Sequence, residues 1–96
     1  MRKITNEAVK AFREDRNFKM SNTEVDVDKY ETRMYLFGNL IARRNNLGEF
    51  QIRDGGHKSV TTKERLNGFP GVNIHQKNYQ WYLNDEPWDG KWKLIK

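Results

Sequence analysis

The chain has 96 residues, 35% hydrophobic, 12% aromatic and 32% charged; this suits one domain over residues 1–96 with a small core, and is too aromatic for a disordered chain. It has no cysteine, which excludes disulfides and thiolate metal sites and fits a reducing compartment. The net charge of +5 favours acidic partners, nucleic acid first among them, although a charge of this size also serves solubility.

The opening "MRKITNEAVKAFRED" lacks the apolar stretch of a signal peptide. Apolar runs such as Tyr35-Leu36-Phe37 are far too short to cross a bilayer. A soluble protein of the cytoplasm, with no membrane partner, is the expectation. Ile4, Ala8, Ala11 and Phe12 recur at helical spacing, which predicts a helix over residues 5–15. Thr5 or Asn6 can cap it, and Glu7 suits the positive end of its dipole.

From Asn22 the period changes to two. Val25 and Val27 alternate with Glu24, Asp26 and Asp28, as in a half-buried strand. "ETRMYLFGNLIARR" reads as two strands folded about Gly38-Asn39. "NNLG" turns the chain again, and "EFQIR" follows with Phe50 and Ile52 on one face. Residues 22–53 are thus expected to form a four-stranded antiparallel meander. Charge is uneven along this region. Residues 21–31 hold four carboxylates and one lysine, net −3, whereas residues 32–67 hold seven basic and three acidic side chains, net +4. A bipolar surface suits protein recognition as well as nucleic acid.

"DGGHKS" reads as a loop. In "TTKERLNG", Thr61 and Glu64 have the spacing of a capping box, Gly68 that of a C′ glycine, and Pro70 stops the helix. Leu66 is the anchor of this short element. The last segment, "NIHQKNYQWYLNDEPWDGKWKLIK", holds all three tryptophans. Lys77-Asn78 is read as a turn, after which Tyr79, Trp81 and Leu83 share one strand face. Trp81 is expected in the core, because aliphatic residues are scarce. Trp88, next to Pro87 and "DG", is a candidate for an exposed aromatic patch with Tyr82 and Trp92. The alternative is structural: these rings clamp the terminal hairpin.

No constellation carries clear chemistry. His57 and His75 have no metal-ligand spacing, and Asp54 near His57 is a loop coincidence, so no metal or other cofactor is expected. Ser59 beside His57 is not a triad, and no carboxylate pair reads as a shifted dyad. A non-enzymatic protein is the expectation. "DGGHKSVTTKE" echoes a phosphate cradle without the P-loop spacing. Arg43, Arg44, Arg53, Lys58, Lys63 and Arg65 are the candidate nucleic-acid or anion-binding residues, set against a solvated charged surface. Arg43 and Arg44 fall on opposite faces of their strand.

"YLFGNLIARR", "TTKERLN" and "QKNYQWYLN" followed by "WDG" resemble small proteins encoded by tailed bacteriophages and related mobile elements. The likeness spans most of the chain. It implies expression in a bacterial cytoplasm and an accessory role; such proteins commonly bind and block a host or defence factor, CRISPR complexes included. It carries over no functional residue. The order helix, strands, helix is also similar to a double-stranded RNA-binding domain. That membership is rejected: four strands precede a very short second helix, and only Lys63 stands where a lysine cluster belongs.

The expected fold is α+β: an N-terminal helix on a twisted antiparallel sheet, a short second helix and a C-terminal aromatic hairpin. The expected function is a non-enzymatic phage-type binding protein that blocks a host or defence protein, a nucleoprotein complex included. Direct nucleic-acid binding through the basic residues is the alternative.

Overall fold

The computed structural model describes residues 2–96. Helix α1 runs Lys3–Arg13 and buries Thr5, Ala8, Val9, Ala11 and Phe12. It begins and ends two residues earlier than the expected span of 5–15. Arg2 stands at the N-cap without a side-chain bond, and neither Thr5 nor Asn6 caps. The Thr5 hydroxyl is turned inward instead, hydrogen-bonded to Glu64 and Arg65.

The described residues form eleven elements in the order α1, β1 (Phe18–Met20), β2 (Thr23–Val27), β3 (Glu31–Leu36), β4 (Asn39–Asn45), β5 (Phe50–Ile52), α2 (Val60–Leu66), β6 (Ile74–Lys77), β7 (Gln80–Leu83), β8 (Glu86–Pro87) and β9 (Lys93–Ile95). The main sheet has the strand order β1-β2-β3-β4-β5-β9, and a small sheet has the order β6-β7-β8. Every pairing is antiparallel. The expected α+β architecture and the meander over 22–53 are both present. The aromatic C-terminal segment divides between the sheets: β6, β7 and β8 form the small one, while β9 returns to pair with β5, Ile95 opposite Phe50.

Register explains the two faces of the main sheet. Val25, Met34, Ala42 and Ile52 lie opposite one another across β2–β5 and are all buried. The neighbouring row runs Asp26, Arg33, Arg43, Gln51 and Leu94, so the second face is polar and begins acidic. A register shift at Met34/Tyr35 inserts Ile41 as an extra residue. Ile41 and Ala42 are thereby both buried despite being consecutive. Phe12, Phe50 and Phe69 form an aromatic cluster with ring centroids 4.9–5.6 Å apart.

Turns fall one residue away from the expected places. The β3–β4 loop is Phe37-Gly38, both at positive φ, between the paired Leu36 and Asn39. The β6–β7 loop is Asn78-Tyr79, again both at positive φ. Tyr79 therefore leaves the strand face it was expected to share with Trp81 and Leu83; it is 95% exposed, while Trp81 is buried.

Helix α2 is capped by Ser59, whose hydroxyl accepts from the Thr62 N–H at 3.1 Å. The expected Thr61–Glu64 box does not form, because Glu64 bonds Thr5 and Arg65. Gly68 is not at positive φ. It matters for space: a Cβ there would lie 2.6 Å from Thr5 Cγ2 and 2.9 Å from Val9 Cγ2. Gly68→Ala is expected to push α1 away from the α2 end and to cost about 1–3 kcal/mol. Urea unfolding reads this directly, and an unchanged midpoint would refute the close-approach explanation.

Candidate functional site

The six basic residues singled out in the sequence do not form one patch. Arg65 is 1% exposed. Its guanidinium donates to Thr23 Oγ1 and Thr5 Oγ1 at 2.9 Å each and pairs with Glu64, so it ties α1, α2 and β2 together and is no surface cation. Arg44 lies on the α1 side, where it donates to the Phe12 carbonyl, pairs with Asp15 and covers the Phe12 ring. The Asp15 carboxyl is held below its usual range, chiefly by the Thr32 hydroxyl and then by Arg44. Lys58 bonds Asp54 Oδ2 at 2.8 Å and the Asp89 carbonyl at 2.6 Å. Lys63 reaches Gln76 Oε1 at 3.4 Å and lies near the Trp81 ring.

Arg43 and Arg53 do come together, around Trp92. Their guanidinium carbons lie 3.9 Å and 4.8 Å from the indole centroid. Strand β4 supplies Arg43, the residue just after β5 is Arg53, and the segment leading into β9 supplies Trp92. Arg43 Nε donates to Gln51 Oε1 at 2.9 Å, and Arg53 Nε to the Leu40 carbonyl at 2.7 Å. These neutral acceptors fix both side chains and leave their charge uncompensated. On the same sheet Arg33 and Arg44 are paired with carboxylates, whereas among the described residues Arg43 and Arg53 are not.

The three candidate aromatics separate in the same way. Trp88 is 6% exposed and donates from Nε1 to the Lys91 carbonyl at 2.9 Å. It lies 6.2 Å from Trp81, so it clamps the terminal segment and is not part of an exposed patch. Tyr82 is half-buried and stacks on His75 at 5.2 Å. Trp92 is half-buried under the two arginines. The exposed aromatics that sequence reading missed are Tyr30, at 64%, Phe37, at 68%, and Tyr79, at 95%. Phe37 and Tyr79 sit in two-residue turns. The pairing of Leu36 with Asn39 and of Lys77 with Gln80 places them there, and periodicity alone does not choose between adjacent residue pairs for a turn.

Trp92 is a wall between two open clefts. One, about 670 Å³, is bordered by Tyr79, Gln80, Pro87, Lys91, Trp92 and Lys93. The other, about 530 Å³, lies between Arg53, the Gly55-Gly56 loop and Trp92. Gly90 lets the chain enter this region. Its φ is +88°, and a Cβ there would lie 2.1 Å from Asp54 Oδ2. The Gly90 carbonyl also accepts the Asp54 N–H at 2.9 Å. Lys91 and Lys93 are exposed and, among the described residues, have no carboxylate partner. No group of three His, Cys, Asp or Glu side chains able to hold a metal occurs among the described residues. No described helix is long and apolar enough to cross a membrane.

The other end of the polar face is acidic. Arg33 meets Asp26 at 2.9 Å, Asp28 at 2.7 Å and Glu31 at 3.0 Å. Asp28 accepts the N–H groups of Glu31 and Tyr30. Those two bonds, Glu31 foremost, and then Arg33, lower its pKa from 3.8 to about 2. Its folded pKa lies below the unfolded value, so its stabilising contribution is complete above about pH 4 and is lost as pH falls through about 2. Side-chain carboxyl NMR is expected to show Asp28 titrating near that value and Arg33→Met raising it. A midpoint close to 3.8 in the unaltered protein would contradict the geometry.

The fold and this surface define a small α+β protein whose polar sheet face is cationic–aromatic at one end and acidic at the other. The chain belongs to the Kyanoviridae Gp96 protein family, a family of cyanophage proteins, whose model matches residues 1–93. No curated protein and no solved structure matches it.

Proposed function

We propose that this phage protein is a non-enzymatic binding protein of the host cytoplasm that engages a nucleic-acid-bearing host or defence factor and acts by occupying its surface. The observation that carries this reading is the Arg43–Trp92–Arg53 cluster. Two fixed guanidinium groups without carboxylate partners sit over one indole, with Lys91 and Lys93 beside them. Guanidinium forks match phosphate geometry, and aromatic or guanidinium planes accept bases. CRISPR complexes are one class of nucleoprotein that offers both. The test is the affinity for a labelled single-stranded oligonucleotide across a salt series. A steep fall with salt supports the reading, because counterions are released from phosphates; salt-independent affinity contradicts it.

A second reading, docking on a host protein without nucleic acid, has its own observation. Phe37 stands exposed at a turn tip beside an open cleft of about 290 Å³ that Leu36 and Ile41 also line. Capture that survives nuclease treatment and is lost in Phe37→Ala would favour it.

A further inference from the structure

We infer that the cleft between Tyr79 and Trp92 is a base-stacking site that makes the protein selective for single-stranded over double-stranded nucleic acid; the inference rests on the nucleic-acid reading above. Tyr79 is 95% exposed, so packing does not explain it. It occupies a positive-φ turn position, φ 67°, where glycine or asparagine is the unstrained choice and a bulky aromatic is costly. An exposed ring kept at such a position is accounted for by something it touches outside the fold. It lines the same cleft as Trp92 and Pro87, with Lys91 and Lys93 on the border. A volume of about 670 Å³ lies in the range of small-ligand sites and admits a nucleobase with its sugar.

The chemistry of this cleft is that of a single strand. A base within a duplex has both faces covered by its neighbours, whereas an unpaired base offers a face to an aromatic ring or a guanidinium plane. Lys91 and Lys93 on the cleft border and the Arg43–Arg53 pair on the indole are the groups suited to phosphate contacts. The cleft's carboxylate, Asp89, is turned back on the chain, where its Oδ1 accepts the Lys91 N–H at 2.9 Å. Lys58, also on the border, is held by Asp54 and the Asp89 carbonyl.

The test uses a fluorescent oligothymidylate of about 12 nucleotides, within the span of small single-strand binding sites, and a duplex of the same length. Anisotropy is measured with the unaltered protein, Tyr79→Gly and the Arg43→Ala/Arg53→Ala pair, with a thermal melt of each. The unaltered protein is expected to prefer the single strand. Tyr79→Gly is expected to melt no lower than the unaltered protein and to lose about tenfold in single-strand affinity, with the duplex affinity and the salt slope unchanged. Tyr79→Gly binding the single strand like the unaltered protein, or equal affinity for the two probes, would overturn the stacking site alone. Absence of binding to either probe, or binding indifferent to Arg43 and Arg53, would overturn the nucleic-acid reading and the stacking site with it.

Discussion

Arg65→Ala is expected to destabilise the fold by about 3–5 kcal/mol, the usual effect of removing one partner from a buried ion pair. Domains of this kind are stable by only about 5–15 kcal/mol, so the variant should unfold at a much lower urea concentration or fail to fold. The reason is the number of groups that Arg65 satisfies. One guanidinium serves the hydroxyls of Thr5 and Thr23, the Asn22 amide oxygen and the Glu64 carboxylate. Among the described residues Glu64 Oε2 already lacks a hydrogen-bond partner, so losing Arg65 leaves a partly buried carboxylate with the Thr5 hydroxyl alone. Arg65→Lys is expected to rescue little, because an ammonium on a flexible stem cannot reproduce the fork across α1, α2 and β2. Equilibrium urea unfolding checks both variants. A midpoint equal to that of the unaltered protein would show that Arg65 is not the tie described.

The Arg43→Ala/Arg53→Ala pair is expected to keep its fold and lose its ligand. Each side chain gives the fold about 0.5–1 kcal/mol through its contact with Trp92 and one hydrogen bond to a neutral acceptor. Against a single-stranded probe, each phosphate contact contributes roughly −0.7 to the slope of log affinity against log salt. Removing both arginines should therefore flatten that slope by about 1.4 and lower affinity most at low salt. Arg44→Ala is the internal control. Arg44 has the same charge and is the next residue in β4, but it faces α1 and pairs with Asp15. Equal losses in the two variants would mean that net charge, rather than this site, drives binding.

The sequence pattern made much of this fold legible because side-chain periodicity reports burial directly. Ala8, Ala11 and Phe12 marked the inner face of α1, Val25 marked the inner face of β2, and the paucity of aliphatic residues placed Trp81 inside. Periodicity does not locate turns to the residue, since either of two adjacent pairs can close a hairpin. The β6–β7 turn therefore falls on Asn78-Tyr79, and Tyr79 moves from core to surface. Strand β1 has three residues, too few to show alternation; Trp92 and Leu94 alternate with Lys91 and Lys93 around β9, but its place beside β5 depends on pairing.

Charge was the least legible property. Arg65 and Arg53 look alike in a sequence, but Arg65 is buried in a polar network and Arg53 lies against Trp92. Only the tertiary partners separate them. Trp88 shows the same limit. A tryptophan beside proline and "DG" reads equally as exposed or as a clamp of the terminal segment, and only the structure shows its indole N–H on the Lys91 carbonyl and its ring against Trp81.

The most direct test of the account is an NMR titration of the labelled protein with a short single-stranded oligonucleotide, following amide, indole and arginine side-chain resonances together. The Trp92 indole N–H, the Arg43 and Arg53 Nε–H groups and the amides of Tyr79, Lys91 and Lys93 are expected to shift, while Asp26, Asp28 and Phe37 stay in place. Shifts confined to the Phe37 turn or to the acidic end of the sheet, or no shifts at all, would contradict it.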